Sequence, residues 1–202
     1  MNKLFFYLPN MEIGGAERNF LKIINFYKKK GHHVSLVLNK KKGRLLNDIE
    51  KDIHIINLNI DRTYKSIFVL RKLIILHRPD IFFSSLTHCN IVLIIANIFS
   101  IFKTKVHVKE CNNFKFQLNY GPILNYCYIF FISFIYMFAS KIISVSKSLE
   151  KQLKKILFLN SKKIFTIYNS LDCNEIKKKS RVSYEKIFKN NYPTIISVGK
   201  LK

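Results

Sequence analysis

The sequence predicts an α/β fold, a Rossmann-like parallel sheet with helices on both faces. Short apolar runs alternate with longer stretches of helical hydrophobic period, and parallel neighbours require helical crossovers of this kind. Of the 202 residues, 49% are hydrophobic and 14% are aromatic. This composition supplies one full core and excludes disorder of the whole chain. No internal repeat or low-complexity tract breaks the alternation.

The predicted strands are seven short apolar runs. They are Leu4–Leu8, His33–Leu38, Ile53–Leu58, Ile81–Ser84, Val106–Val108, Lys141–Val145 and Ile164–Tyr168. The clearest helix between them is Ala16–Lys30, which carries its apolar residues on one face and is followed by Gly31 as a C-terminal stop. The helical pattern of Arg62–His77 ends in the same manner before Pro79.

One segment between two predicted strands is unusually apolar. No charged residue occurs from Gln117 to Ser140, and Ile123–Ala139 is close to the ~20 apolar residues that a membrane span needs. Gly121 and Pro122 interrupt the segment, so we expect a buried or membrane-facing helix. A transmembrane span is the alternative.

The chain divides by composition into three parts. Residues 1–172 form the predicted Rossmann-like domain, and residues 173–192 form a polar, lysine-rich linker or exposed helix. In residues 193–202 an apolar run follows Pro193 and leads into Gly199, a pattern that normally opens a new βα unit. We therefore expect the sequence to stop within the first turn of a second domain.

The charge of the chain is strongly positive. Lys and Arg number 35 against 12 Asp and Glu, a net charge of +23 that predicts attraction to the phosphate of a nucleic acid, a lipid or a nucleotide. AT-rich coding is the alternative explanation, since 29 of these cations are Lys and the chain is also rich in Ile and Asn.

Cysteine spacing and the N-terminus bear on the compartment. The four cysteines, at positions 89, 111, 127 and 173, form no Cys-x-x-Cys pair and have no His at zinc-finger spacing, so neither a metal site nor a disulfide framework is expected. The five apolar residues Leu4–Leu8 are stopped by Pro9 and are too few for a signal peptide. We expect a cytoplasmic protein.

The most informative motif follows the first predicted strand. Gly14 and Gly15 lie where the strand meets a helix, and glycines there let backbone N–H groups and the helix dipole face an anion. A helix start with flexible glycines is the alternative, because two glycines alone are neither a dinucleotide fingerprint nor a Walker loop.

Continued as Gly-Gly-Ala-Glu-Arg, the run resembles the start of the retaining glycosyltransferases of family 4. These are GT-B enzymes, in which two Rossmann-like domains face each other across a cleft. Later segments resemble the family in the same order: Phe82–Asn90, Lys109–Asn113, Lys141–Leu149, Phe165–Asp172 and Ile196–Leu201. Cys111 stands where one branch of the family has Arg, and Lys200 stands where the family usually has Arg. At the second position the lysine offers a point charge in place of the bidentate hydrogen bonds of an arginine.

The resemblance implies the N-terminal, acceptor-side domain of an enzyme that moves a sugar from a nucleotide-sugar donor to a cell-surface glycan or lipid-linked acceptor. In the family, an acceptor hydroxyl attacks the anomeric carbon while the nucleoside diphosphate leaves. The second domain holds the nucleotide-sugar pocket, so we expect this chain to be inactive alone. A separately encoded C-terminal domain is one way to complete the cleft. No metal or other cofactor is implied.

The resemblance also implies roles for individual residues. The implied catalytic residues are Gly14, Gly15 and Glu110. The implied contacts to the donor phosphate are Gly15, Arg18 and Lys200. The implied acceptor-side residues are His88, Asn90, Asn112 and Ser146. From the residues alone, Glu110 reads as a solvated loop carboxylate and Ser146 as a helix cap.

Partners follow from the distribution of charge. Lys147–Phe158 is an amphipathic helix with an outward lysine face, and together with the aromatic segment Ile123–Ala139 it suits an anionic membrane surface. We expect peripheral attachment to the inner face of the cell membrane. The alternative function is a non-catalytic basic module for an anionic membrane or nucleic acid. Nucleic acid is disfavoured because the basic residues are not interleaved with aromatic ones as in RNA-binding modules.

Overall fold

The computed structural model describes residues 1–112, 121–156, 161–171 and 173–181. Within them, seven strands form one parallel sheet in the order β3-β2-β1-β4-β5-β6-β7. The strands are β1 (Lys3–Leu8), β2 (His33–Leu38), β3 (His54–Asn57), β4 (Ile81–Ser85), β5 (Lys105–Glu110), β6 (Lys141–Ser144) and β7 (Ile164–Thr166). All seven predicted strands are present, with β3, β6 and β7 shorter than their apolar runs.

Helices connect successive strands or follow the last one. They are α1 (Gly15–Lys29), α2 (Ile67–His77), α3 (Thr87–Ile98), α4 (Pro122–Tyr136), α5 (Lys147–Ile156) and α6 (Cys173–Ser180). Short 3₁₀ turns occur at Arg44–Asp48, Thr63–Ser66 and Ser161–Lys163.

The helix predicted from Arg62 begins later than expected, at Ile67. The residues before it form a 3₁₀ turn whose side chains bond to the sheet. Thr63 accepts a hydrogen bond from Asn39 Nδ2 at 3.2 Å, and Ser66 Oγ lies 2.6 Å from the hydroxyl of Tyr7. Such side-chain bonds compete with regular helix and explain the late start.

The core lies on both faces of the sheet. Leu4, Phe6 and Leu8 of β1 belong to an apolar cluster that includes residues of α1. The alternate residues Phe5 and Tyr7 belong to a second cluster that includes residues of α2, α3 and α4. A strand buried on both faces is typical of a parallel sheet between two helical layers, so the predicted fold class is confirmed.

The strand order fixes where a ligand can approach. From β1 the chain first adds strands on one side, through β2 to β3, and then returns to add β4 on the other side of β1. In open parallel sheets, ligands bind beyond the carboxyl ends of the strands where the order reverses. In this molecule that position lies between β1 and β4.

The chain divides into two compact units, Met1–Asn169 and Ser170–Lys202. In the second unit the structure describes α6, within the predicted linker. The domain boundary predicted after residue 172 stays a prediction. The strand predicted after Pro193, including Lys200, lies outside the described residues.

The apolar segment that resembled a membrane span forms α4, which has 15 residues. Across the parts of the chain that the structure describes, no helix combines the length and apolarity that crossing a membrane requires.

Candidate active site

A cavity of about 360 Å³ opens at the carboxyl edge of the sheet. Its lining residues follow the ends of five different strands. They are Gly15, Ala16, Glu17, Leu86, Cys111, Asn112, Val145 and Asn169. Gly15 follows β1 and Leu86 follows β4, so the cavity lies where the strand order reverses. This is the edge at which parallel sheets of this type bind ligands.

A second hollow, of about 440 Å³, lies at the opposite edge of the sheet, beside the first residues of β4 and β5. It is lined by residues such as Asn2, Arg78 and Phe102. The Arg78 guanidinium stacks over the Phe102 ring at 3.8 Å, so its cation already has an aromatic partner. We therefore place the site at the carboxyl edge, where open parallel sheets bind ligands.

The loop between β1 and α1, residues 9–14, leads to the glycines at the cavity, and we call it the glycine loop. Gly14 is the N-cap of α1 with an extended backbone (φ −150°, ψ 164°), and its carbonyl accepts the N–H of Arg18 at 3.0 Å. The first-turn N–H groups of α1 therefore point away from the helix towards the cavity edge, where the helix dipole favours negative charge. This is the arrangement that the Gly-Gly pair predicted.

The glycine loop is held in place by backbone bonds to the loop after β2. Met11 N donates to Lys42 O at 2.8 Å, and Leu45 N donates back to Met11 O at 3.1 Å. Between these bonds lies Gly43, at φ +117°, a conformation that disfavours every residue with a Cβ. A Cβ there would collide with the carbonyl group of Met11, so the close approach of the two loops requires glycine.

Sequence reasoning missed Gly43. Its signal was available, because it follows three lysines directly after the strand His33–Leu38 and so reads as a turn. What the sequence did not show is the partner of that turn, which lies about thirty residues earlier in the chain.

Gly15 and Gly14 face different surroundings. A Cβ at Gly15 would meet no atom within 4 Å, so the backbone at this position borders open space in the cavity. A Cβ at Gly14 would collide with Oε2 of Glu17. The Glu17 carboxylate thus lies against the N-terminus of α1, three residues after the N-cap, where an acidic group is favourable to the helix dipole.

Behind the cavity lies a buried polar network centred on Glu110, the last residue of β5. The side chain is 0% exposed. Its carboxylate accepts hydrogen bonds from Thr87 Oγ1 at 2.9 Å, from Asn90 Nδ2 at 2.7 Å and from the Tyr136 hydroxyl. Asn90 Oδ1 in turn accepts a bond from Ser84 Oγ at 2.7 Å.

Burial sets the protonation of this network. Desolvation raises the pKa of Glu110, and the bonds from Tyr136, Asn90 and Thr87 oppose that rise by stabilising the carboxylate. Burial also raises the pKa of Tyr136. The hydroxyl therefore keeps its proton and donates a hydrogen bond to Glu110. The reading of Glu110 as a solvated loop carboxylate is wrong, because Thr87 and Asn90 of α3 and Tyr136 of α4 surround the side chain.

Lys109 lies next to Glu110 and is also buried. Its ammonium donates to Asn19 Oδ1 on α1 and to Asn169 Oδ1, 2.9 Å away in the segment after β7. Burial lowers the pKa of this lysine. Lys109 therefore connects the helix that carries the glycines to the cavity residue Asn169, a role that the sequence analysis did not assign.

Leu86 is a further feature that the sequence did not signal. It precedes α3 with φ +77°, a backbone conformation that is strained for a bulky side chain, and it lines the cavity. Strain of this kind persists where the surroundings over-determine it and is common at functional sites. Cys111, on the same cavity wall, lies 3.4 Å from Ser85 Oγ.

The structure brings some of the predicted site residues together and separates others. Gly15 and Asn112 line the cavity, and Gly14 adjoins it. Arg18 lies exposed on the first turn of α1, and His88 lies exposed on the first turn of α3.

Three predicted residues have other surroundings. Asn90 and Glu110 belong to the buried network and are not among the cavity-lining residues. Ser146 Oγ accepts the N–H of Leu149 at 3.2 Å and so caps α5, as the alternative reading expected. The substrate roles of these residues stay predictions.

Within the described ranges, no group of three or more His, Cys, Asp and Glu side chains comes together as a candidate metal site.

Comparisons with known proteins agree with this fold. The sequence model of Glycosyltransferase Family 4 matches residues 13–175, which is most of the chain and runs from the glycine loop into α6. Among curated proteins, none matches the sequence at a significant level.

Solved structures show the same fold at low sequence identity. A glycosyltransferase from Rickettsia africae is 16% identical with a TM-score of 0.64, over 92% of this chain and 47% of that one. The Anabaena HepE protein, solved with UDP and glucose, is 15% identical with a TM-score of 0.63, over 90% of this chain and 50% of that one. Acinetobacter baumannii MurG is 12% identical with a TM-score of 0.52, over 90% of this chain and 50% of that one. The chain spans about half the length of these structures.

Proposed function

The chain belongs to glycosyltransferase family 4, and from that membership we propose that it forms the acceptor-side wall of an enzyme that transfers a sugar from a nucleotide-sugar donor. The observation that carries the proposal is the glycine loop. It places the N-terminus of α1 and the open backbone position of Gly15 at the edge of a cavity where the strand order reverses. The Anabaena structure in complex with UDP and glucose supports this class of donor.

The loop acts on the leaving group. An acceptor hydroxyl attacks the anomeric carbon, the bond from that carbon to the phosphate oxygen breaks, and the nucleoside diphosphate departs with the bonding electron pair and takes up the hydroxyl proton. Negative charge then grows on the diphosphate. The N–H groups at Gly14 and Gly15, with the positive end of the α1 dipole, stabilise that charge without having to reorganise.

The remaining predicted residues complete the proposal. Arg18 adds a cation close to the same helix end, and Lys200 adds a second phosphate contact from outside the described residues. Asn112 and His88 border the acceptor side, which takes a cell-surface glycan or a lipid-linked acceptor. Asn90, Glu110 and Ser146 act behind this surface by holding the strand and helix ends in place.

A second wall is required for transfer. Donor and acceptor must be held together, and such positioning supplies ~7–11 kcal/mol of a reaction barrier. We propose that a second domain contributes the nucleotide-sugar pocket, encoded with this chain or separately, and that the 202 residues assayed alone do not transfer sugar. No metal ion takes part in this proposal.

The proposal is tested by substituting Gly15→Val in the enzyme completed by its second domain. Valine keeps the backbone N–H but fills the open space at Gly15, so the leaving phosphate can no longer reach that donor and kcat should fall by about 100-fold. The matched control is Gly121→Val, at the N-cap of α4, where a Cβ also meets nothing within 4 Å.

Unfolding curves separate a loss of catalysis from a loss of fold. We expect both variants to unfold at the same denaturant concentration as the parent protein, with only Gly15→Val losing turnover. Unchanged turnover in Gly15→Val, or an equal loss in Gly121→Val, overturns the assignment.

A further inference from the structure

Helix α4 has two apolar faces, and only one of them is covered. Ile132, Ile135 and Tyr136 are buried in the core of the first unit. The opposite side, which we call the α4 outer face, consists of Ile123, Tyr126, Phe130, Phe134, Met137 and Phe138. These residues recur at helical spacing on α4 and the turn after it, and all six are exposed.

The α4 outer face is too apolar to be an ordinary solvated surface. Phe130 is 75% exposed, and the rings of Phe134 and Phe138 pack edge to face with centroids 5.5 Å apart. No charged residue occurs anywhere from Gln117 to Ser140. Contiguous exposed apolar patches of this kind mark sites that bind a protein or a membrane.

The sequence on either side of this face is cationic. Between residues 111 and 171 there are eight lysines and a single acidic residue, Glu150. That carboxylate is already engaged with Lys154 at 2.5 Å and with the Thr166 hydroxyl. At the end of α4, Lys163 Nζ donates to Met137 O at 2.7 Å, which fixes one ammonium group at the border of the apolar surface.

This combination selects one occupant. A second copy of the chain would carry the same net charge of +23, and like charges oppose that contact. A nucleic acid would neutralise the lysines without covering the phenylalanines. An anionic bilayer does both, since acyl chains cover an apolar helix face while lipid phosphates attract the flanking lysines.

We propose that the α4 outer face docks on an anionic lipid bilayer, with α4 lying in the plane of the interface. The expected location is the inner face of the cell membrane, whose lipids carry negative charge. The docking goes beyond sugar transfer and does not depend on it, because it rests on α4 and its lysines and not on the cavity.

The absence of tryptophan from the sequence allows a direct test. Phe130→Trp introduces a single fluorescent reporter on the α4 outer face. Phe68→Trp introduces one on α2, where Phe68 is 73% exposed, as the matched control. Each protein is mixed with vesicles of phosphatidylcholine, with or without phosphatidylglycerol, and with vesicles that contain brominated lipid.

We expect the tryptophan emission of the Phe130→Trp protein to shift to the blue and to be quenched by brominated lipid only when phosphatidylglycerol is present. The control should change little, and added salt should reverse the binding. Adding Phe134→Ser and Met137→Ser to Phe130→Trp should weaken vesicle binding at least about ten-fold, because two apolar side chains no longer enter the bilayer.

Four outcomes overturn the proposal. They are failure of the chain to bind phosphatidylglycerol vesicles, equal responses of the two tryptophans, retention in the membrane fraction after a carbonate wash, and a lipid-independent dimer of the Phe130→Trp protein with blue-shifted emission. The third would indicate a spanning segment and the fourth a second copy as the occupant. Vesicle binding does not involve sugar transfer, so none of these outcomes bears on the function proposed for the cavity.

Discussion

The glycine loop and the Glu110 network lie at the same carboxyl edge of the sheet, but different kinds of contact hold them. The glycine loop is fixed by backbone bonds at Met11 and by the close approach of Gly43. The network is fixed by side chains from three elements, which meet at the Glu110 carboxylate. Glu110, Asn90 and Tyr136 of the network are fully buried, whereas Gly15 is exposed.

The difference shows how one site keeps a ligand-accessible surface on a stable frame. Backbone contacts hold the glycine loop, and at Gly15 the backbone borders open space in the cavity, where its N–H is accessible to an anion. Side-chain contacts in the network satisfy buried polar groups and so stabilise the strand ends behind it. We therefore expect substitutions in the network to act mainly on stability, and substitutions at the cavity surface to act mainly on binding.

The largest expected effect is that of Glu110→Ala. The substitution leaves the donors on Thr87, Asn90 and Tyr136 without their acceptor in a buried site, where each unsatisfied group costs about 1–3 kcal/mol. We expect the free energy of unfolding to fall by about 3 kcal/mol, measured by urea denaturation.

Glu110→Gln is the control, because its amide keeps the shape and can accept from Tyr136 and Asn90 while donating to the Thr87 hydroxyl. A loss of less than about 1 kcal/mol in Glu110→Ala would show that the network is not a structural centre.

The next effect concerns the backbone side of the comparison. Gly43→Ala combines positive φ with a collision against Met11, and we expect it to cost about 2 kcal/mol. Gly31→Ala shares the positive φ, at +82°, but its Cβ meets nothing within 4 Å, so about 1 kcal/mol is expected.

Amide hydrogen exchange at Met11, whose N–H bonds to Lys42, separates the two variants. Exchange there should accelerate in Gly43→Ala and stay at the parent rate in Gly31→Ala. Equal exchange in both would show that Gly43 does not hold the loop.

A smaller effect is the pH dependence contributed by Glu110. Because its pKa is raised in the folded protein, the folded state holds the proton more tightly than the unfolded state. The stability linked to this proton is complete below the ordinary value of 4.5 and is lost as pH rises through the folded pKa. We expect Glu110→Gln to gain stability relative to the parent protein over this rise, by about 1.4 kcal/mol for each unit of raised pKa.

Comparing Glu110→Gln with the parent protein cancels the contributions of the other titrating groups to the pH dependence of stability. Burial lowers the pKa of His107 to about 4, which costs stability as pH falls, but His107 is present in both proteins and cancels. A difference in stability that does not change with pH would show that Glu110 titrates as in the unfolded chain.

The smallest expected effect is at the cavity surface. The Glu17 carboxylate lies against the N-terminus of α1, where a donor phosphate is proposed to bind. Removing its charge by Glu17→Gln should raise the affinity for UDP by about five-fold, the equivalent of about 1 kcal/mol between partly exposed charges. Calorimetric titration of UDP into the two-domain enzyme measures it.

Glu12→Gln is the matched control for Glu17. It removes a carboxylate from the loop just before α1, one that pairs with Lys42 at 3.9 Å and does not line the cavity. An equal gain in both variants would indicate a general change in charge and not relief at the helix N-terminus.

The sequence predicted the fold because periodic apolar runs carry that information locally. Gly31 is an example, since it ends α1 at φ +82° as its position after three lysines indicated. The late start of α2 was not predictable, because its cause is a set of bonds from Tyr7 and Asn39, which are distant in sequence.

The site was predictable in part for the same reason. Gly15 and Asn112 follow strand ends, and strand ends meet at one edge of a parallel sheet. The burial of Glu110 was not predictable, because it depends on Tyr136 approaching from α4. Lys109 was likewise missed, since its partners Asn19 and Asn169 are brought together only by the completed sheet.

The contact between Gly43 and Met11 has a consequence for tolerance to mutation. Lys40 and Lys42 form hydrogen bonds to the glycine loop through their backbone atoms. Their side chains form exposed ion pairs with Asp61 and Glu12. A saturation library across residues 40–43 should therefore give many functional clones at the three lysine positions and almost none at Gly43. In natural variants, the three lysine positions would vary freely while the glycine at position 43 was retained.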